Sequence, residues 1–170
     1  NQKKKRADAV ITNIPKLPIG ILTADCVPVL IYDKQKKMVA AIHAGWKGAY
    51  KGIISKVINF MIKKGCEKKN MIAVIGPCIA QKSYNVKEDF KRKFLKKDKR
   101  NKVFFKKRKN LIYFDLSKYV KLQLKLMKIT NLETINIDTF PKKNNFFSAR
   151  RSLHLNHDDY GRNISLIMIN

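Results

Sequence analysis

Between Ile19 and His43 the chain lays down three apolar, β-rich runs with only a few polar residues between them: Ile19 to Thr23, Val27 to Tyr32 and Met38 to His43. Runs this short and this apolar read as buried strands, and the polar turn Asp33 to Lys37 is brief enough for the last two to pair as neighbours. A sheet is therefore specified early. Pro28 sits inside the second run and has no N–H to give a ladder, so an edge position or an irregular start is expected there.

Helical spacing then takes over. Ile53, Ile54, Val57, Ile58, Met61 and Ile62 recur on one face of a helix expected from Gly48 to Lys64, and Gly65 supplies its stop. Met71 to Ile75 reads as a short buried strand ending in the small-residue turn Gly76 to Ile79. A basic amphipathic helix is expected from Val86 to about Lys97, and another from Asp115 to Lys128 with Asp115 as its cap. Glu133 to Thr139 and Asn163 to Ile169 read as strands, and Phe140 to Arg162 as a long loop between them, a kind of segment that often carries function. With no internal repeat and no low-complexity linker, residues 1–170 are expected to form one domain of mixed α and β structure. The chain opens without Met and runs directly into a strand pattern, so a further N-terminal portion is expected in the full-length protein.

Composition narrows the classes. At 170 residues and 45% hydrophobic content the chain can bury a core, and it holds no uncharged apolar run of about 18 residues that would span a membrane. The basic start NQKKKRADAV lacks the apolar stretch of a secretory signal. Three cysteines, an odd count with no CxxC, indicate neither a disulfide framework nor a zinc knuckle, and a reducing cytoplasm is expected. A formal charge of +26 would ordinarily point to nucleic acid. Yet there are 31 Lys and only 7 Arg, amid many Ile and Asn, the mark of a broad codon bias, and base-reading contacts favour the arginine fork. Even the densest run, 13 Lys or Arg in the 23 positions from Lys87 to Lys109, reads as a solvated outer face, so nucleic acid is not the expected partner.

Two side chains stand out for chemistry. Cys26 follows Asp25 at the break between two strands, and His43 ends the next strand, so pairing of those strands would bring thiol and imidazole out at one end of the sheet. They could act as a nucleophile with its base, or as two ligands of one zinc ion. A buried inert cysteine beside a structural histidine is the plainer alternative, and the spacing alone does not decide.

Three blocks taken together change that balance. ILTADCVPVLIYD (Ile21 to Asp33), VAAIHAGWKG (Val39 to Gly48) and IGPCIAQKSYNV (Ile75 to Val86) resemble the purine nucleoside phosphorylase family long labelled multicopper polyphenol oxidase or laccase-like. ADAVIT (Ala7 to Thr12), FFSARR (Phe146 to Arg151) and GRNISLI (Gly161 to Ile167) agree with it, in the family's order. The resemblance implies an α+β fold of layered mixed β-sheets flanked by helices, related to the cytotoxic necrotizing factor deamidases. It implies zinc held by Cys26, His43 and a histidine upstream of ADA that has no counterpart here. Cys26 and His43 are then the catalytic centre, and Lys47, Arg150 and Arg151 are candidates for holding phosphate. The family pattern has arginine where Lys47 stands, and lysine keeps the charge but loses the planar fork. The family's Cys-Thr pair appears as Asp138-Thr139, and the last block is expanded by SLHLNHDDY (Ser152 to Tyr160).

The implied function is zinc-dependent phosphorolysis of adenosine, inosine or S-methyl-5'-thioadenosine, with adenosine deamination as a further activity. The substrates would be a purine nucleoside and phosphate. Three alternatives stand beside it: a Cys-His hydrolase or amidase, a basic binding protein without activity, and a copper-dependent polyphenol oxidase. The last sits poorly with a chain of only three histidines. His154 and His157 read as a solvent-facing loop pair, Trp46 as a core plug fixing its turn, Cys78 as structural and Cys66 as without a role.

Overall fold

The computed structural model describes residues 7–157 and 159–170. A five-stranded sheet has the order β1 (Ala9–Thr12), β4 (Met38–Ala44), β3 (Val27–Asp33), β5 (Met71–Ile75) and β9 (Asn131–Thr134). All neighbours are antiparallel except β5 and β9, which run parallel. Strand β4 explains why its sequence is apolar without alternation. Its even positions Met38, Ala40 and Ile42 join the larger core, while Val39 and Ala41 join a second cluster with Ile19, Ile21 and Ile169. Successive side chains leave opposite faces, so a strand covered on both sides needs apolar residues at every step.

The second cluster is roofed by a two-stranded ribbon of β2 (Ile19–Thr23) and β10 (Asn163–Ile167). On the other face lie α1 (Trp46–Tyr50), α2 (Ile53–Lys63) and, further along, α4 (Leu116–Leu126). Ile54, Val57, Ile58 and Met61 of α2 and Leu116, Val120 and Leu124 of α4 supply their buried stripes. Ribbon, sheet and helices make the layered α+β architecture that the family resemblance implied. A third sheet, β6 (Asn85–Val86), β8 (Leu111–Phe114) and β7 (Phe105–Arg108), stands beside α3 (Glu88–Lys97). Phe94, Phe104 and Phe114 are almost wholly buried between them, with Phe94 and Phe114 ring centroids 4.7 Å apart.

Four expectations are corrected. Pro28 lies in an interior strand, not at an edge. Its carbonyl accepts from Gly76 N–H at 2.9 Å just past the last β3–β5 pair, Val29 with Ile75, so its missing N–H falls where that ladder has already ended. The helix expected from Gly48 to Lys64 starts two residues earlier and breaks at Gly52, whose φ of 79° is left-handed. The strand expected from Glu133 to Thr139 is β9, which begins two residues earlier and ends five residues earlier. Beyond it Asp138 makes only an isolated bridge to Cys78. The long loop contains α5 (Ala149–His154), capped by the Ser148 hydroxyl, which accepts from Arg151 N–H at 3.1 Å. The basic run also held an unexpected hairpin. β7 and β8 are joined at Lys109 and Asn110, both with positive φ, the signature of a two-residue turn that usually asks for Gly.

Candidate functional site

Residues Val27 and Ala44 are paired at the end of the β3–β4 ladder, so the residue before one strand and the end of the other meet at one sheet end. Cys26 and His43 are both half-buried there. The two converge over Gly45. A β-carbon at that glycine would lie 3.0 Å from Cys26 Sγ and 3.6 Å from His43 Nε2. Gly45 has φ of −67°, so its need for glycine is spatial rather than conformational.

The imidazole is oriented from behind. Asp8 accepts from the His43 main-chain N–H through its carbonyl at 2.8 Å, and its carboxylate lies 3.6 Å from Nδ1. Nε2 lies on the Gly45 side of the ring with Cys26 Sγ, and the Asp8 carboxylate stands on the Nδ1 side, beyond hydrogen-bond distance. Burial, and then the nearby carboxylates of Asp25 and Asp8, push the Cys26 thiol up to about 11. At neutral pH such a sulfur is a thiol rather than a thiolate, a poor nucleophile by itself but a ligand that a cation would deprotonate. Thiol, imidazole and the open cradle over Gly45 therefore fit two positions of a zinc site. Among the described residues no three His, Cys, Asp or Glu side chains cluster to complete one.

Beside this pair opens a cleft of about 890 Å³, walled by Trp46, Tyr84, Phe90, Lys93, Asn85 and Arg150 among others. Trp46 directly follows Gly45 and packs edge-to-face on Phe90 at 5.0 Å. It both plugs the core, as expected, and walls the cleft. Burial pushes the Tyr84 phenol up to about 12, with Cys26 the next contribution, which places this wall near the thiol. Arg150 lies over the Tyr84 ring at 5.2 Å, and its Nη1 donates to Asn85 O at 2.9 Å and to Asn85 Oδ1.

The other cationic candidates sit differently. Lys47 is exposed, 5.6 Å above the Trp46 ring, and does not wall the cleft. Arg151 spends its guanidinium on the main-chain carbonyls of Thr139, Phe140 and Phe146, at 3.1, 2.7 and 2.6 Å, and so ties a loop together. His154 and His157 are exposed, His154 edge-on to Phe140 at 5.6 Å. Cys78 is buried in the turn where its carbonyl accepts from Thr139 N–H at 3.2 Å, and Cys66 is buried 3.7 Å from Met38 Sδ. Sequence reasoning did not single out Asp8, Asp25, Tyr84, Asn85 or Phe90. Asp8 and Asp25 stood inside quoted motifs, and an acidic residue directly before the cysteine was the available signal.

A layered α+β fold with a thiol and an imidazole meeting at a glycine-lined sheet end, next to an aromatic cleft, defines a small class of proteins. The chain belongs to the multi-copper polyphenol oxidoreductase laccase family, whose pattern matches residues 1–170. It is 42% identical over 160 residues to a purine nucleoside phosphorylase of Rickettsia conorii, covering 93% of this chain and 65% of that one. It is 36% identical over 149 residues to a purine nucleoside phosphorylase of Bacteroides thetaiotaomicron, covering 85% of this chain and 55% of that one. Among solved structures, the Bacillus licheniformis hypothetical protein YfiH superposes with a TM-score of 0.85 at 30% identity, over 96% of this chain and 61% of that one. A Neisseria meningitidis protein gives 0.84 at 29%, over 96% and 65%. The chain thus spans between 55% and 65% of the length of these relatives.

Proposed function

We propose that this protein is a zinc-dependent purine nucleoside phosphorylase acting on adenosine, inosine or S-methyl-5'-thioadenosine. The observation that carries the reading is the convergence of Cys26 Sγ and His43 Nε2 over Gly45, at the edge of an aromatic cleft that holds Arg150. Two of the relatives that it resembles bear the name purine nucleoside phosphorylase. Cys26 and His43 would hold zinc, with a third ligand from outside the described residues. Bound there, zinc would supply Lewis-acid activation, of phosphate for phosphorolysis or of water for adenosine deamination.

The chain's own groups do the rest. Arg150 is anchored through Nη1 and presents its remaining N–H donors to phosphate, while exposed Lys47 adds positive charge nearby. The Trp46, Tyr84 and Phe90 rings offer apolar surface to a purine. Phosphate oxygen forms the new bond to C1′ as the glycosidic bond breaks and its electron pair leaves with the base. Asp8 holds the His43 main chain through its carbonyl, and its carboxylate stands near Nδ1.

A hydrolase using Cys26 as free nucleophile is disfavoured by the thiol's raised pKa of about 11. Among the described residues His154 and His157 are exposed in and just after α5, so His43 is the imidazole that these residues bring to the cradle. The test is turnover by the full-length protein with zinc, phosphate and each nucleoside. Adenine or hypoxanthine should appear with one equivalent of pentose 1-phosphate, and Cys26→Ala should abolish it along with stoichiometric zinc. Base release no faster than that variant's would overturn the proposal, and release of inosine from adenosine would add the deaminase activity.

A further inference from the structure

We propose that Asp25 is a positioning residue that locks α5, and with it Arg150, to the turn that carries Cys26. The inference rests on the site reading above. Asp25 is only 8% exposed, and no cationic side chain pairs with it among the described residues. A buried carboxylate without a counter-ion must have its lone pairs filled by hydrogen bonds. Three donors fill them. Thr139 Oγ1 donates to Oδ1 at 2.7 Å, while Ser148 Oγ at 3.0 Å and the Arg150 main-chain N–H at 2.7 Å both donate to Oδ2. The guanidinium of Arg150 is turned away to Asn85, so only its backbone is held here.

The backbone of Asp25 shows the same over-determination. Its φ of 81° is left-handed, a conformation that a residue with a β-carbon keeps only when its surroundings enforce it. Its carbonyl accepts from Ile79 N–H at 3.0 Å, which pins the turn to the Gly76 to Ile79 segment. One residue thus ties together the cysteine's turn, the Asp138-Thr139 segment and the start of α5.

That tie matters because α5 has six residues, too few to hold a helix or its placement unaided. Ser148 serves it twice, capping Arg151 N–H at 3.1 Å with the same hydroxyl that donates to Asp25. The Asp25 carboxylate therefore fixes the Arg150 main chain against the cysteine's turn, while Asn85 holds its guanidinium and Arg151 ties α5 to the loop from Thr139 to Phe146. Loss of the carboxylate should free the Arg150 main chain without displacing β3 or β4.

The experiment compares Asp25→Asn and Ser148→Ala in the full-length protein. Asparagine keeps the shape and tolerates a left-handed φ but puts an NH₂ where an acceptor is needed. Amide hydrogen exchange of the metal-free protein is read first. Both variants should speed exchange at Arg150 and Arg151 by roughly 10-fold or more while the β3 and β4 amides keep wild-type rates. Steady-state kinetics follow. The KM for phosphate should rise ~10-fold in both variants while the KM for nucleoside stays within about 2-fold.

Unchanged exchange at Arg150, or exchange that rises equally through β3 and β4, would overturn the clamp. A nucleoside KM that rises as much as the phosphate KM would overturn its effect on the anion. If Asp25→Asn does not fold, Ser148→Ala decides by exchange at Arg150 and by the two KM values, since Arg151 loses its own cap in that variant. Should the wild type show no phosphorolysis, the exchange result still stands or falls alone, so the two proposals fail separately.

Discussion

At and just before the two ends of β3 stand buried aspartates with no ion pair among the described residues, and they are held in opposite ways. At the C-terminal end Asp33 is fully buried, and its carboxylate accepts from the N–H groups of Gln35, Lys36 and Glu67 at 3.0, 2.8 and 3.1 Å. Two of those donors are in the adjoining turn. At the N-terminal end Asp25 accepts from Thr139, Ser148 and Arg150, all more than 110 positions away, from a strained backbone. The first end is closed mostly by its neighbours in sequence. The second is closed by distant segments, and those segments bring the cleft with them. A carboxylate satisfied locally stabilises a turn, whereas one satisfied at long range fixes the relative position of parts that must cooperate.

Breaking the local end should cost the most stability. Asp33→Ala leaves three main-chain donors without their acceptor in a buried turn and is expected to lower the unfolding free energy by about 3 kcal/mol in urea, with zinc affinity of the folded protein unchanged. At the other end, Gly45→Ala introduces no backbone conflict but places a methyl 3.0 Å from Sγ. Its zinc affinity, measured by chelator competition, should fall at least ~10-fold while stability changes by less than about 1 kcal/mol. A stability loss matching that of Asp33→Ala would erase the contrast between the ends.

Thr139→Val removes one of the donors to Asp25 and should cost about 1 kcal/mol, read from the same urea titrations. The gentlest effect is alkaline. Burial raises the Cys78 thiol from its ordinary 9.0 to about 12, so the folded state favours the protonated thiol. Its contribution is complete below pH 9.0 and is lost as pH climbs toward about 12, and Cys78→Ala should flatten that limb of the stability profile.

Legibility in the sequence followed the same division. The strands β2 to β5, the stripe of α2 and the Asp115 cap could be read because period and capping are local signals. The pairing of β3 with β4 likewise brought Cys26 and His43 to one sheet end as expected. The hairpin at Lys109 and Asn110 was hidden because it lacks the glycine that normally marks such a turn. The helix α5 was hidden because six residues carry too little periodicity, leaving only the Ser148 cap as a cue. Arg150 and Arg151 looked alike side by side, yet one walls the cleft and the other binds three carbonyls. No local pattern distinguishes them, because the partners that do so come from other segments. Asp25 escaped notice for that reason too.

The ribbon that roofs the sheet pairs Thr23 with Asn163 and Ile19 with Ile167. Contacts of such span close large loops and form late, after the locally paired strands have bought the entropy down. During synthesis, β3 and β4 can zip while the ribosome is still far from the codons for α5. The thiol and imidazole can then meet before Arg150 has been made. A growing chain of this kind exposes its Cys26 and His43 pair to the cell for as long as translation from Gly45 to Arg150 takes.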